Sequence, residues 1–330
     1  MKAPPFWRAD GPLPRLLGPL GGLYTLGGWL RRRGARPARA GVPVLCVGNL
    51  TAGGAGKTPI ALDLGRRLQG RGRTVAFLTR GHGGQARGPL RVDPARHDAE
   101  AVGDEALLLA EVAMTVLSAD RAAGAALAEE LGAEVIVMDD GHQNPGLIKD
   151  LSLVVIDGVF GFGNHRVIPA GPLREPWKAG LARADAVVVV GPDRHRLHAR
   201  LSPRRPRLTA HFQPGPQIAA LLGRPVVAFA GIGRPDKFFD GLAEAGVRVV
   251  ARHPFADHFP YRPTDIQPIL DEAFALGAAV ATTAKDAVRL PADQRQQVNV
   301  IGLSVDWPAP VAVEALLDDL FARFKESRLP

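Results

Sequence analysis

The feature that most constrains this chain is a set of apolar runs: VPVLCVGN, TVAFLTRG, EVIVMDDG, LSLVVIDG and ADAVVVVG. Their apolar residues are continuous rather than alternating, so each run predicts a strand covered on both faces. Segments of helical spacing separate them: residues 57 to 69 (KTPIALDLGRRLQ), residues 103 to 113 (GDEALLLAEVA) and AAGAALAEELG. TVLSADR reads as a further strand. Strand and helix in alternation predict a parallel α/β sheet. With 330 residues, 46% hydrophobic and 22% charged, the chain has the length of two packed domains. Its one cysteine, Cys46, lies inside an apolar run, which excludes an internal disulfide framework and fits a reducing compartment.

Residues 194 to 224 are rich in Arg, Pro and His and read as an interdomain connection, in which LTAHF would form a short strand. A second α/β segment follows: PVVAFAGIG, KFFDGLAEAG, VRVVARHPF, a helix near 264 to 276, AVATTAKD, VNVIGLSV and a terminal helix near 310 to 325. The expected division is an N-terminal segment 1–40, a first α/β domain 41–205, a linker 206–224 and a smaller α/β domain 225–330.

The loop after the first strand carries the clearest chemistry. VGNLTAGGAGKT ends like a phosphate-binding loop, G-x-x-x-x-G-K-[ST], but counting back from Gly56 lands on Thr51 where the first glycine belongs. The strand before it and the helix after it are the context such a loop requires. Residues Thr51, Ala52, Gly53, Gly54, Ala55, Gly56, Lys57 and Thr58 therefore form the expected nucleotide loop. Its glycines would turn backbone N–H groups toward phosphate, and the helix N-terminus would add a favourable dipole. Lys57 would bind the β- and γ-phosphates and Thr58 a Mg²⁺ ion. In EVIVMDDG, Asp139 and Asp140 end a strand, where a metal-binding acid is expected beside a phosphate loop. The alternative for either is a turn or cap aspartate.

Three further stretches are less specific. Asp104 and Glu105 open a helix; Asp104 is either its cap or, with Glu105, a base for a hydroxyl nucleophile. NHRVIPAGPLREP offers Arg174 as a phosphate clamp, or serves as a plain connection. In Phe255-Ala256-Asp257-His258, a His beside an Asp is an oriented base or a structural group. TTAKDAVR adds Lys285 and Asp286 after an apolar strand.

Residues 16 to 30 (LLGPLGGLYTLGGWL) are apolar and run into Arg31, Arg32 and Arg33, with Arg36 and Arg39 close behind. The run is shorter than the about 20 residues of a membrane-spanning helix, and Pro19 and its glycines weaken it as a helix. A signal peptide would carry its charge before the apolar run; here most of it follows. Two readings stand. One is a segment in the membrane interface, with Tyr24 and Trp29 at the headgroups and the arginines on anionic lipid. The other is an ordinary amphipathic helix packed on the domain. The net charge of +8 suits an anionic partner and equally an arginine-rich surface.

In chain order the sequence carries GNLTAGGAGKTP, LTRGHGG, GDEALLLA, DDGHQN, GNHRVIPAGPLREP, AGIGRPDKFF, FADHFPY and TTAKDAVRL. The set resembles the tetraacyldisaccharide 4′-kinase family, the lipid A kinases of Gram-negative bacteria, from about residue 15 to about residue 290. A phosphate loop alone is unspecific, whereas GDE, PAGPLRE and DH in this order are highly specific. The resemblance implies transfer of the ATP γ-phosphate to the 4′-hydroxyl of tetraacyldisaccharide 1-phosphate, with Mg²⁺, to give lipid IVA. It implies a peripheral or monotopic enzyme on the cytoplasmic face of the bacterial inner membrane, with the anionic membrane surface as a partner. It also implies a P-loop NTPase-like parallel sheet domain joined by a short β linker to a smaller α/β domain.

Family members carry threonine or serine where the first loop glycine would be, so Thr51 is expected there. Carried over by residue, Lys57 and Thr58 serve ATP and Mg²⁺, and Asp139 and Asp140 lie at the metal site. Asp104 and His258 form the base dyad, with Glu105 beside them, and domain closure is expected to assemble it. Arg121, Arg174 and Glu175 match residues lining the cleft. The chain departs from the usual DDGLQH at His142 and Asn144, from RGYGR at His82 and Gly84, from DHH at Phe259 and from TEKD at Ala284.

Two other classes of protein would share part of this pattern. A nucleotide switch or nucleic-acid-binding ATPase would use the same loop and the arginines of 194 to 206. No N-K-x-D guanine signature is present, and the basic stretch lacks interleaved aromatics for stacking, so no nucleic-acid partner is expected. A soluble small-molecule kinase would leave residues 16 to 30 without a role. Nothing in the sequence sets an oligomeric state.

Overall fold

The computed structural model of the protein describes residues 4–202 and 205–328. Its strands are β1 (Val44–Gly48), β2 (Val75–Thr79), β3 (Leu90–Arg91), β4 (Met114–Leu117), β5 (Val135–Asp139), β6 (Leu151–Asp157), β7 (Ala186–Val190), β8 (Arg207–Pro214), β9 (Pro225–Ala230), β10 (Arg248–Pro254), β11 (Ala279–Thr283), β12 (Asn299–Ile301) and β13 (Leu303–Asp306). Nine form one sheet in the order β13, β8, β7, β6, β1, β5, β2, β4, β3, and four form a second in the order β10, β9, β11, β12. The large sheet is parallel from β8 to β4, with antiparallel pairing only at its edge strands β13 and β3. The small sheet is parallel throughout.

The continuous apolar runs become the central strands, and both faces of those strands are covered as their pattern requires. On β1, Leu45 and Val47 point to a layer holding Ile60, Leu64 and Leu68 of the Lys57–Gly70 helix. Val44 and Cys46 point the other way, to Ala125 and Ala128 of the Arg121–Glu130 helix. β1 sits between β5 and β6, and Val47 stands beside Asp139 in register. The loop after β1 and the acidic end of β5 thereby emerge together at the carboxyl edge of the sheet, where open α/β sheets bind ligands.

Three expectations change. The stretch at 206–224 is not simply a linker, because β8 pairs in parallel with β7 and extends the large sheet. Nor does the chain after residue 302 stay with the smaller unit. VNVIGLSV splits: β12 joins the small sheet, whereas β13 pairs with β8. The Pro310–Glu326 helix then lays Val313, Leu316, Leu317 and Leu320 into the core beneath β1. The physical reason is burial: the face of β1, β5 and β6 left open beside the Lys57–Gly70 helix needs an apolar cover, and this helix supplies it. Finally, residues Gly18–Arg33 form one continuous helix despite Pro19 and the glycines. Pro19 lies in the first turn, where its missing N–H breaks no helical hydrogen bond.

Candidate active site

The phosphate-loop candidate folds on two supports. Thr51 bridges antiparallel to Leu173, with Ala52 N donating to Pro172 O at 2.7 Å and Arg174 N to Leu50 O at 2.8 Å. PAGPLRE is thus a short ladder partner for the start of the loop. Because Thr51 is paired like a strand residue, the position does not need the left-handed freedom of glycine. The second support is Asn49, which is fully buried and donates its amide to Thr51 O at 2.8 Å and Gly53 O at 3.4 Å. The left-handed turn falls instead at Gly56, with φ of 89°. There a Cβ would also lie 2.5 Å from the Phe212 ring of β8.

Lys57 and Thr58 open the helix that follows. Thr58 Oγ1 donates to Asp139 Oδ2 at 2.9 Å. Asp140 takes a left-handed backbone, φ 55°, which turns its carboxylate toward other partners. Arg174 Nη1 donates to both its oxygens at 2.8 and 2.9 Å, and Lys57 Nζ lies 3.8 Å away. Burial would raise the Asp140 carboxyl, but Lys57 and Arg174 outweigh it and hold it below the usual range. Asp139 goes the other way: burial first, then the charges of Glu105 and Asp140, push it up to about 7. Its Oδ1 is buried without a hydrogen-bond partner among the described residues. A buried carboxylate oxygen left bare beside a threonine hydroxyl and a lysine fits a divalent cation. Among the described residues no three His, Cys, Asp or Glu side chains gather into a ready-made cage.

Asp104 begins the Asp104–Ala110 helix and is not its cap; Gly103 is, with φ of 83°. A Cβ on Gly103 would stand 2.5 Å from the His82 carbonyl oxygen, so the GDE glycine is demanded both by conformation and by space. Asp104 is buried, and its Oδ2 meets the small unit. His258 Nδ1 is 2.9 Å away, and Lys285 Nζ and Arg289 Nε are each 3.8 Å away. Burial works to raise the Asp104 carboxyl, yet the His258 hydrogen bond and the charges of Lys285, His258 and Arg289 bring it below its ordinary value. Asp104 and His258 are already joined in this structure, so the dyad exists without further closure. The charge of Glu105, next along the same helix, is among those that raise the Asp139 carboxyl.

Arg121 is buried at the start of its helix, donating to Ser118 O, with Nε free of hydrogen bonds among the described residues. Burial lowers its pKa while Asp140 and Asp139 favour its charge. Glu175, expected at the cleft, lies just after Arg174 at the end of PAGPLRE. It is buried and held by Arg183 at 2.7 Å to each oxygen, by Gln143 at 3.2 Å and by Arg32 of the N-terminal helix at 3.6 Å. A carboxylate so enclosed is neutralised by cations around it and serves as an anchor.

The departures also find places. His142 is buried between Ser152 Oγ and Gly180 O, both at 2.9 Å, and burial holds it uncharged. Asn144 caps a turn at Gly146 N. Phe259 joins Phe255 and Tyr261 in an aromatic cluster. Ala284 starts a short helix capped by Thr283, and His82 is exposed. Gly84 packs its backbone against Ala101, Val102 and Gly103. Asn49, Gln143 and Arg289 went unnoticed in the sequence. All three stand in quoted motifs, but the contacts of Gln143 with Asn49 and Glu175 and of Arg289 with Phe259 and Gly231 reach across 30 to 94 positions and leave no local pattern.

A glycine loop opening a helix with Lys57 and Thr58, an acidic strand end holding that threonine, and a parallel sheet beneath them define a P-loop phosphotransferase. The family model for tetraacyldisaccharide-1-P 4′-kinase (LpxK) matches residues 13–322, and the chain belongs to that family. The chain is 59% identical over 326 residues to the tetraacyldisaccharide 4′-kinase of Rhodospirillum rubrum, covering 97% of this chain and 98% of that protein. It is 57% identical over 320 residues to that of Gluconacetobacter diazotrophicus, covering 96% and 98%. Its fold is similar to the crystal structure of LpxK from Aquifex aeolicus in complex with ATP, with a TM-score of 0.75, 27% identity and coverage of 94% of this chain and 100% of that one. The function is the family's: an ATP-dependent kinase for the 4′ position of the lipid A tetraacyldisaccharide.

Proposed function

We propose that the two clusters described above work as one site, the loop holding the donor phosphates and the dyad holding the acceptor hydroxyl. The observation that carries this reading is the junction at Asp104: its helix packs Leu109 with Ile60 and Leu64 of the loop-bearing helix, and its carboxylate meets His258 of the smaller unit at 2.9 Å. Lys57 and the loop amides would bind the β- and γ-phosphates of ATP. Thr58 and Asp139 would hold Mg²⁺, which neutralises phosphate charge when bound. Arg174 and Lys57, now paired with Asp140, are the cations able to turn to phosphate. Asp104 accepts the proton of the 4′-hydroxyl as its oxygen bonds to the γ-phosphorus and the bond from that phosphorus to the β–γ bridging oxygen breaks. A carboxylate kept ionised suits this work, because phosphoryl transfer needs alignment and charge neutralisation more than a strong base. The product would be lipid IVA and ADP.

The reading extends to location. Leu16, Leu20, Leu23 and Leu30 recur at helical spacing and are exposed, Leu23 by 65%. Tyr24, Leu26 and Trp29 are exposed with them, and Arg31, Arg32 and Arg33 close the helix. Buried Gly21 faces the protein at Val167. A helix that turns its small side inward and its large apolar side outward supports a monotopic or peripheral seat on the cytoplasmic face of the inner membrane. Among the described residues no helix is long and apolar enough to cross a membrane.

Radiolabelled ATP offered with the lipid disaccharide, short sugars or RNA tests the acceptor; label is expected in the lipid alone. Asp104→Asn should lower kcat by on the order of 10²-fold or more, as loss of a general base does. Normal turnover in that variant would remove Asp104 from the reaction.

A further inference from the structure

Resting on the reading of VGNLTAGGAGKT as the loop that binds the ATP phosphates, we infer that Phe212 is a positioning residue, whose ring backs the last glycine of that loop and keeps the loop amides turned toward phosphate. A Cβ added at Gly56 would stand 2.5 Å from Phe212 Cε2 and 2.6 Å from its Cζ, with Val190 Cγ2 at 3.8 Å. The edge of the ring therefore lies directly against the Gly56 backbone. At Gly53 and Gly54 a Cβ would meet nothing within 4 Å. The loop is thus held at its two ends, at Thr51 by Asn49 and Leu173 and at Gly56 by Phe212, and is open between them.

Strand β8 puts the ring there. Leu208, Ala210 and Phe212 alternate along it and share the apolar layer of Ile60, Leu64 and Leu68 from the Lys57–Gly70 helix. Parallel pairing with β7 ends at Ala210, opposite Val190, and beyond it Phe212 pairs with Val305 of β13. Just past this point Gly215 N donates to Gly302 O at 2.8 Å, so the end of β8 is fixed on its far side. The ring is half-buried, packed on the core layer while its edge meets the loop.

Gly56 is the N-cap of the Lys57–Gly70 helix, with a left-handed backbone of φ 89° and ψ 23° and no side-chain cap among the described residues. The first-turn amides are left for an anion, and their direction follows from the Gly56 dihedrals. A glycine has little preference of its own among the conformations open to it. A rigid ring against its backbone removes those that would swing the peptide toward β8. A loop ordered before ATP arrives does not draw on binding energy to become ordered. With the ring gone, Gly56 and the peptide before it gain room, and the nucleotide has to order them.

Calorimetric titration of ATP into Phe212→Ala and Phe212→Leu tests this. The Kd for ATP is expected to rise about tenfold in Phe212→Ala, and at least about threefold in Phe212→Leu, which keeps apolar bulk but loses the ring edge. In steady-state kinetics the loss should appear as a raised KM for ATP, while kcat at saturating ATP and KM for the lipid disaccharide stay within about threefold. Should the alanine variant fail to fold, Phe212→Leu carries the test alone. An unchanged Kd in either folded variant would overturn the inference. So would a lowered melting temperature or kcat with Kd intact, which would make the ring a plain core residue. Lys57→Ala is the control for the loop itself. If that variant binds ATP as tightly as the wild type, the phosphate-loop reading fails whatever Phe212 does, so the two failures are separable.

Discussion

Asn49 is the residue on which the loop geometry turns. It lies at the end of β1, and its amide reaches two carbonyls of the loop, at Thr51 and Gly53. Its own backbone carbonyl accepts from Gln143 at 2.8 Å, which ties the loop to the segment after Asp140. Removing the amide should loosen the amides meant for phosphate without touching the dyad. Asn49→Ala is therefore expected to raise KM for ATP about five- to tenfold, the scale of one hydrogen bond near 1 kcal/mol, with a smaller change in kcat. Steady-state kinetics with ATP varied would settle it, and an unchanged KM would show that the loop keeps its shape unaided. The same loop shows what a short motif can conceal. By count Thr51 is a missing glycine; in the fold it is a paired residue beside Leu173.

At the scale of elements, the Gly18–Arg33 helix is unusual in what it leaves uncovered. It is tied to the domain at its basic end, where Arg31 donates to Gln143 O at 3.1 Å and Arg32 approaches Glu175. Its leucine side faces outward. The triple substitution Leu20→Ser, Leu23→Ser and Leu30→Ser removes roughly 1.5 to 3 kcal/mol of apolar transfer at each position if the helix is seated in lipid. Flotation with vesicles containing anionic lipid should then show binding reduced by at least about tenfold. Equal flotation of variant and wild type would return the helix to an ordinary surface element. Gln143 and Glu175 link this helix to Asn49 by hydrogen bonds, so the element that would meet lipid is in mechanical continuity with the loop.

At the scale of the whole molecule, the chain leaves the large sheet after β8 and returns to it at β13. The two crossings lie side by side, with Gly215 N donating to Gly302 O at 2.8 Å. Across the gap, Arg234 pairs with Asp157 at 3.1 Å and Arg295 with Glu111. The smaller unit is thus an insertion between β8 and β13, and the last helix is part of the loop-bearing core. Trp307 Nε1 donates to Asp63 Oδ2 at 2.8 Å, and Arg67 and Arg71 both pair with Glu314. Leu317 is fully buried there, so Leu317→Ala should destabilise the core by about 2 to 5 kcal/mol. In thermal melts the transition lowered by this variant should be the one that ATP raises. If ATP instead shifts only a transition that the variant spares, the C-terminal helix does not support the nucleotide-binding part.

The apolar runs by themselves determined a parallel α/β core, because strands buried on both faces must be apolar at every position. GKT after one such strand and DD at the end of another marked the loop and the acidic strand end that the fold sets side by side, since both motifs are made of residues close in sequence. Tertiary structure alone decided the rest. Asp104 and His258 are separated by 154 positions, and only the docking of two sheets makes them neighbours. Lys285 was visible as a charge after an apolar strand, but its convergence with Arg289 on Asp104 is made by the fold, in which Asp286 holds Arg289 in place. Glu175 stood in a specific motif, but its pairing with Arg183 shows only in the fold, because a motif fixes the identity of a side chain while the direction it points is set by what packs around it.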